Sequence, residues 1–136
     1  MNNSDLIKLA LEARKMSYSP YSGFSVGAAL LCKDGTVFTG CNIENSAFSP
    51  TNCAERTAFF KAVSEGKKDF LRIAVVGGDS SEEIPVNYCP PCGVCRQVMK
   101  EFCNPDFEII IAKTADDYKT AALSELLPLS FDKREV

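Results

Sequence analysis

Two segments of this 136-residue chain gather residues able to do chemistry: Thr51-Asn52-Cys53-Ala54-Glu55-Arg56-Thr57 and Pro90-Pro91-Cys92-Gly93-Val94-Cys95-Arg96-Gln97. Each places cysteine in the first turn of an expected helix, where free backbone N–H groups and the positive end of the dipole favour a thiolate. Cys92 and Cys95 stand at i and i+3 and share a face. Three thiolates fill three corners of a zinc tetrahedron; a catalytic zinc keeps the fourth for water, and a structural zinc closes it. Cys89 complicates the count, because with Cys92, Cys95 and Cys53 it would complete a closed four-cysteine site. Glu55, two residues after Cys53, favours the open site. Positions i and i+2 do not normally face each other, but a metal lying beyond the helix end is within reach of both. An acid beside water at a metal is the minimum equipment for hydrolysis.

The rest of the composition narrows the chemistry. There is no histidine, so Ser-His-Asp and Cys-His nucleophile pairs, histidine-ligated catalytic zinc and histidine-ligated haem are all excluded. Proton transfer falls to Glu, Asp, Lys, Tyr or Cys. Seven cysteines, an odd number, cannot all pair within one chain. The first ten residues hold no continuous apolar stretch resembling a signal peptide, and no run approaches a membrane span. The expectation is therefore a cytoplasmic protein with reduced thiols and no membrane partner. Fifteen Lys and Arg against eighteen Asp and Glu leave a net charge of −3, which lacks the basic footprint of a nucleic-acid binder. Apolar residues at 46% and charged residues at 24% fit a single globular domain spanning residues 1–136.

The elements that must position the two segments are legible from periodicity. Ser4 caps a helix carrying Leu6, Ile7, Leu9, Ala10, Ala13 and Arg14, which stops before Ser19-Pro20. Phe24–Cys32 and Thr36–Ile43 alternate like strands around the hairpin signal Asp34-Gly35. A polar loop, Asn42–Pro50, leads to a helix over Cys53–Glu65 with Gly66 as its stop. Leu71–Val76 and Phe107–Ala112 are short apolar runs fit for buried strands. Between them, Pro91 is placed as a first helical residue, and Asn104-Pro105 ends that helix. Tyr118–Leu123 reads as an edge strand and Ser124–Leu127 as a helical turn. This order predicts an α/β fold, a mixed sheet with helices on both faces. Two adjacent parallel strands would bring both helix starts, and so Cys53 and Cys92, to one end of the sheet. Cys32, Cys41 and Cys103 have the spacing of packed thiols.

Cys53-Ala54-Glu55-Arg56-Thr57 together with Pro91-Cys92-Gly93-x-Cys95-Arg96-Gln97 resembles the zinc-dependent cytidine deaminases, in particular their short type. Pro20-Tyr21-Ser22-x-Phe24-x-Val26-Gly27-Ala28-Ala29, Gly40-Cys41-Asn42-Ile43-Glu44-Asn45 and Glu125-Leu126-Leu127-Pro128 match the same pattern in order. The resemblance implies a three-layer α/β/α sandwich on a five-stranded mixed sheet, a homotetramer, and one zinc per chain held by Cys53, Cys92 and Cys95. It implies Glu55 as the proton shuttle for attack of water on C4 of cytosine in cytidine or 2′-deoxycytidine, releasing ammonia, in pyrimidine salvage. It further implies that Arg56 hydrogen-bonds a ligand sulfur, that Asn42 and Glu44 grip the ribose 3′-hydroxyl, that Phe24 packs on the pyrimidine, and that the Ala54 backbone bonds the base. Phe131 resembles a C-terminal aromatic that reaches a neighbouring subunit's site.

Two departures accompany the resemblance. Phe48 stands where the family often has a tyrosine approaching a neighbouring subunit's site, so a hydroxyl contact is missing. Ile84–Pro90 is longer than usual and brings in Cys89. The alternatives are a blasticidin-type nucleoside deaminase, which lacks the Asn-x-Glu clamp, a polynucleotide-editing deaminase, disfavoured by the acidic charge, and a non-catalytic structural zinc module with four cysteine ligands, which leaves Glu55 without a role.

Overall fold

The computed structural model describes residues 1–133. The elements run α1 (Asn3–Arg14), β1 (Phe24–Cys32), β2 (Val37–Cys41), α2 (Ala54–Ser64), β3 (Phe70–Asp79), α3 (Gly93–Phe102), β4 (Glu108–Thr114), β5 (Asp117–Ala122) and α4 (Leu123–Leu126). The cap of α1 is Asn2 rather than Ser4: the Asn2 side chain accepts from the Asp5 N–H at 2.8 Å. The Ser4 hydroxyl instead donates to the Ala115 carbonyl at 2.9 Å. At the hairpin, Gly35 takes φ of +92°, a region that residues with a Cβ avoid.

The five strands form one sheet in the order β2-β1-β3-β4-β5. β1 is antiparallel to both β2 and β3, β3 is parallel to β4, and β5 closes the far edge antiparallel to β4. Side chains alternate across it. Ala29, Leu31, Ala74, Val76, Ile110 and Ala112 face α1, where Leu6, Ile7 and Ala10 are buried against them. Ala28, Leu30, Ile73, Val75, Ile109 and Ile111 face α2 and α3 on the other side, with Phe59 and Met99 at the centre. The Phe59 ring meets Phe70 edge-on at 5.0 Å and stacks near Phe102 at 6.3 Å. Because β3 and β4 are covered on both faces, they appear in the sequence as continuous apolar runs. The result is the expected mixed α/β sandwich of three layers.

Two contacts carry this framework to the site. A Cβ at Gly40 would lie 2.4 Å from the Ala54 carbonyl oxygen and 2.6 Å from the Ala58 nitrogen, so the backbone of α2 rests directly on β2. Arg14, almost wholly buried, donates to the carbonyls of Ser25, Asp79 and Glu82 and so ties down the end of β3.

Candidate active site

β2 and β3 run in the same direction and end at the same edge of the sheet, with antiparallel β1 between them. The helices that follow them, α2 and α3, therefore start side by side. The expected pair of adjacent parallel strands is thus corrected: β1 spaces the two, and that gap leaves room for a cavity over its end. Cys53 and Cys92 are the N-cap residues, extended at ψ 157° and 167°, and neither thiol caps its own helix. Pro91 precedes the cap and is buried; Gly93, not Pro91, is the first residue of α3.

The three expected sulfurs converge. Cys53 Sγ lies 3.7 Å from Cys92 Sγ, and Cys92 Sγ lies 3.5 Å from Cys95 Sγ, with all three within 4.8 Å of one another. Zinc–sulfur bonds of ~2.3 Å in a tetrahedron require sulfurs about 3.8 Å apart, so the donor set and its spacing fit zinc. Cys89 is not part of this cluster. It packs instead beside Gly77 and Val26 and lines the neighbouring cavity, which removes the closed arrangement of four cysteines.

Charge around the sulfurs is organised before any metal is considered. The Cys53 thiol is drawn down, chiefly by its pairing with the Cys95 thiol, against its own burial and with help from Arg56. The Cys95 thiol is pushed upward by the same pairing and by burial. Arg56 Nη2 donates to Cys53 Sγ at 3.3 Å, while Arg56 Nε is buried with no acceptor among the described residues. Glu55, on the first turn of α2, is only 4% exposed. Burial pushes its carboxyl up to about 7; its own backbone N–H opposes the rise and the Cys53 thiolate adds to it. Burial likewise lifts the Cys89 thiol to about 11, with negative charge on Glu55 and the neighbouring sulfurs contributing.

A cavity of about 280 Å³ opens onto this cluster and brings together Phe24, Asn42, Glu44, Cys53, Ala54, Glu55 and Cys92. Asn42 and Glu44 lie on one extended segment, since Ile43 bridges to both Tyr18 and Asn52, and both side chains face the cavity. Each has a prior engagement. Asn42 Oδ1 accepts from the Val26 N–H at 2.9 Å, and its Nδ2 donates to the Phe24 carbonyl at 2.8 Å. Glu44 Oε1 accepts from the N–H groups of Tyr21 and Ser22, and Oε2 accepts from the Ser22 hydroxyl. Those bonds, the hydroxyl's first, hold the Glu44 carboxyl below the usual carboxylate range.

The structure adds Ser22, Val26, Thr51, Asn52, Cys89 and Pro90 to the cavity wall. Ser22 and Val26 lie inside the motif around Phe24, but nothing in the sequence couples Ser22 to Glu44 over 22 residues. The segment bearing Cys89 and Pro90 is anchored by Tyr88, whose hydroxyl donates to Asp117 and whose ring lies 4.4 and 4.6 Å from the ammonium groups of Lys113 and Lys119. Two expected residues stand away from the cavity of this chain. Phe48 is 96% exposed, and Phe131 is exposed, its carbonyl accepting from Gln97 Nε2.

Residues 1–111 match the family model of the cytidine and deoxycytidylate deaminase zinc-binding region. The chain belongs to this family. It is 49% identical over 136 residues to the cytidine deaminase of Sporosarcina psychrophila, across 100% of this chain and 96% of the relative. It is 48% identical over 136 residues to the cytidine deaminase of Halalkalibacterium halodurans, across 100% and 98%. The solved structure of the cytidine deaminase from Burkholderia pseudomallei superposes with a TM-score of 0.86 at 43% identity, covering 96% of this chain and 100% of the other. Membership accounts for the zinc-type sulfur cluster and the mixed five-stranded sheet together. Among the described residues, no helix is long and apolar enough to cross a membrane.

Proposed function

We propose that the chain catalyses hydrolytic deamination of cytidine and 2′-deoxycytidine, converting the nucleoside and water to uridine or deoxyuridine and ammonia. One observation carries the reading: a carboxyl group buried beside three zinc-spaced sulfurs at the floor of a cavity of about 280 Å³. Cys53, Cys92 and Cys95 would hold one zinc ion. When bound, zinc supplies a Lewis acid that makes water acidic enough to attack at neutral pH.

The protein's own residues do the rest. Glu55 accepts the proton of the attacking water and returns protons to N3 of the base and to the departing amine, a role suited to a carboxyl that gives and takes a proton near neutrality. The backbone N–H of Ala54, at the start of α2, meets the base, and Phe24 packs on its face. Glu44 accepts from the sugar hydroxyl, its carboxylate already aimed by Ser22 and Tyr21. Asn42 uses the remaining hydrogen of its Nδ2 toward the same sugar while its amide plane is held by β1. Arg56 offsets the net −1 charge of zinc with three thiolates.

Phe48 and Phe131, exposed in the single chain, support assembly into a homotetramer in which these two rings approach a neighbouring site, and exposed Leu129 and Phe60 add apolar surface. We place the activity in the cytoplasm, in pyrimidine salvage. The decisive test follows the fall in cytidine absorbance on zinc-loaded protein, with Glu55→Gln beside it. Turnover by the wild type and a loss of about 10²–10⁴-fold in kcat with zinc retained are expected. Absence of uridine from the zinc-loaded wild type would sink the assignment.

A further inference from the structure

We propose that Cys89 determines which substituents the active site admits on the carbon edge of the base, and that Gly77 behind it fixes how far the thiol projects. The proposal rests on the cytidine reading above. Two polar groups line the cavity: Ser22, Asn42 and Glu44, fixed by hydrogen bonds around the start of β1, and Glu55 beside Cys53. A nucleoside spanning them presents C4 to the sulfurs. C4 has two ring neighbours with opposite needs. N3 requires a hydrogen-bond partner, and Glu55 and the N-terminal N–H groups of α2 supply one side of the cavity with polar groups. C5 carries only hydrogen and requires an apolar neighbour. The wall contributed by the segment approaching α3 is of that kind, formed by Cys89 and Pro90, with Val26 of β1 alongside. A free thiol packs there as a small, polarisable hydrophobe.

Gly77 turns this wall into a lever. It lies in β3, outside the cavity lining, and a Cβ on it would sit 2.8 Å from Cys89 Sγ, 3.0 Å from Cys89 Cβ and 3.1 Å from Val26 Cγ2. The thiol therefore rests against sheet backbone with no space to retreat. A larger side chain at position 89 grows into the cavity, and a smaller one leaves room beside the base.

The test is the ratio of kcat/KM for 5-methylcytidine to that for cytidine, measured on zinc-loaded protein of verified metal content. One methyl group in an apolar pocket is worth about 10- to 200-fold in discrimination. Cys89→Ala should raise the ratio about tenfold or more, and Cys89→Val should lower it by a similar factor. Cys89→Ser, nearly isosteric, should leave it within about threefold of wild type. Gly77→Ala, which reaches the cavity through Cys89 and Val26, should lower the ratio, and adding Cys89→Ala to it should reverse the part of that loss that acts through the thiol. The ratio of 2′-deoxycytidine to cytidine should stay constant in the Cys89 variants, because Asn42 and Glu44 are held by Val26, Phe24, Tyr21 and Ser22 and not through position 89. A 5-methyl ratio within about twofold of wild type in Cys89→Ala overturns the proposal, as does a shift confined to the sugar ratio. If Cys89→Val does not fold, the alanine variant decides alone. Wild-type protein that holds zinc and leaves cytidine unchanged refutes the underlying deaminase reading, so the two failures are distinguishable.

Discussion

Replacing Arg56 separates a residue that serves the metal from one that serves the fold. Its Nη2 donates to Cys53 Sγ at 3.3 Å, while its Nε is buried without an acceptor among the described residues. An orphaned buried donor costs about 1–3 kcal/mol, which offsets the about 1.5–3 kcal/mol of the charge-assisted bond to the Cys53 thiolate, so the folded zinc-free protein gains little net from this side chain. With zinc in place the balance tips towards the bond, because Cys95 would then also be a thiolate beside the guanidinium. A hydrogen bond to a charged group contributes about 1.5–3 kcal/mol, which corresponds to ~10- to 150-fold in a dissociation constant. Arg56→Gln should therefore weaken zinc binding by about that factor while leaving the melting temperature of the zinc-free protein unchanged or raised. Arg56→Lys, which keeps charge but loses the planar fork, should fall between the two. Competition against a chromogenic zinc chelator measures the first quantity, and thermal melts with and without zinc measure the second. A zinc dissociation constant within about threefold of wild type in Arg56→Gln refutes the reasoning. A drop in the zinc-free melting temperature with zinc affinity intact would mark Arg56 as a structural residue instead.

Further outcomes follow from other contacts. Gly40→Ala places a Cβ 2.4 and 2.6 Å from backbone atoms of α2, so the helix must shift. Urea unfolding should show a loss of about 1–3 kcal/mol, with weaker zinc binding because Cys53 caps that helix; an unchanged midpoint would contradict the contact. Ser22→Ala removes the hydroxyl that aims Glu44, so KM should rise about fivefold with kcat nearly constant, the equivalent of ~1 kcal/mol. In that variant the Glu44 carboxyl titrates nearer its ordinary value, and the acid-side rise in KM should begin at higher pH. Burial pushes the Cys103 thiol up to about 12 from an unfolded value of 9.0, so the unfolded chain loses this proton first as pH rises. Stability is therefore unaffected below about pH 9 and falls between about pH 9 and 12, with a contribution of at most ~1.4 kcal/mol at pH 10. Comparing urea midpoints of wild type and Cys103→Ala at neutral pH and at pH 10 isolates that share, and parallel losses in both proteins would refute it.

Most of the fold is readable in the sequence because its signals are local. The alternation of Phe24–Cys32, the Asp34-Gly35 turn, and the apolar runs of β3 and β4 each depend on neighbouring residues alone. Boundaries shift where a distant contact decides them. α1 begins at Asn3, ahead of Ser4, because Asn2 caps it and Ser4 is drawn to Ala115, 111 residues away. β3 runs on to Asp79 because β1 pairs with it there, through Phe24 and Asp79. The order of strands also lies outside any local pattern, since it depends on which edges pair. That is why periodicity suggests adjacent parallel strands ahead of α2 and α3 when β1 lies between β2 and β3.

The site divides along the same line. Residue type and spacing by themselves determined that clustered thiols suit a metal, that an acid, Glu55, stands two residues from one of them, and that histidine chemistry is absent. These are properties of side-chain chemistry at short separations and survive any choice of topology. Only the tertiary structure decided which cysteines meet. Cys53 and Cys92 are 39 residues apart in sequence and 3.7 Å apart in space, whereas Cys89, three residues from Cys92, is turned away against Gly77. The same holds for Asn42, Glu44 and Ser22, whose partners lie 16 to 23 residues away. A composition of seven thiols is compatible with three or four zinc ligands; the packing of β1, β3 and two helix starts gathers three sulfurs and places Cys89 in the wall of the adjoining cavity.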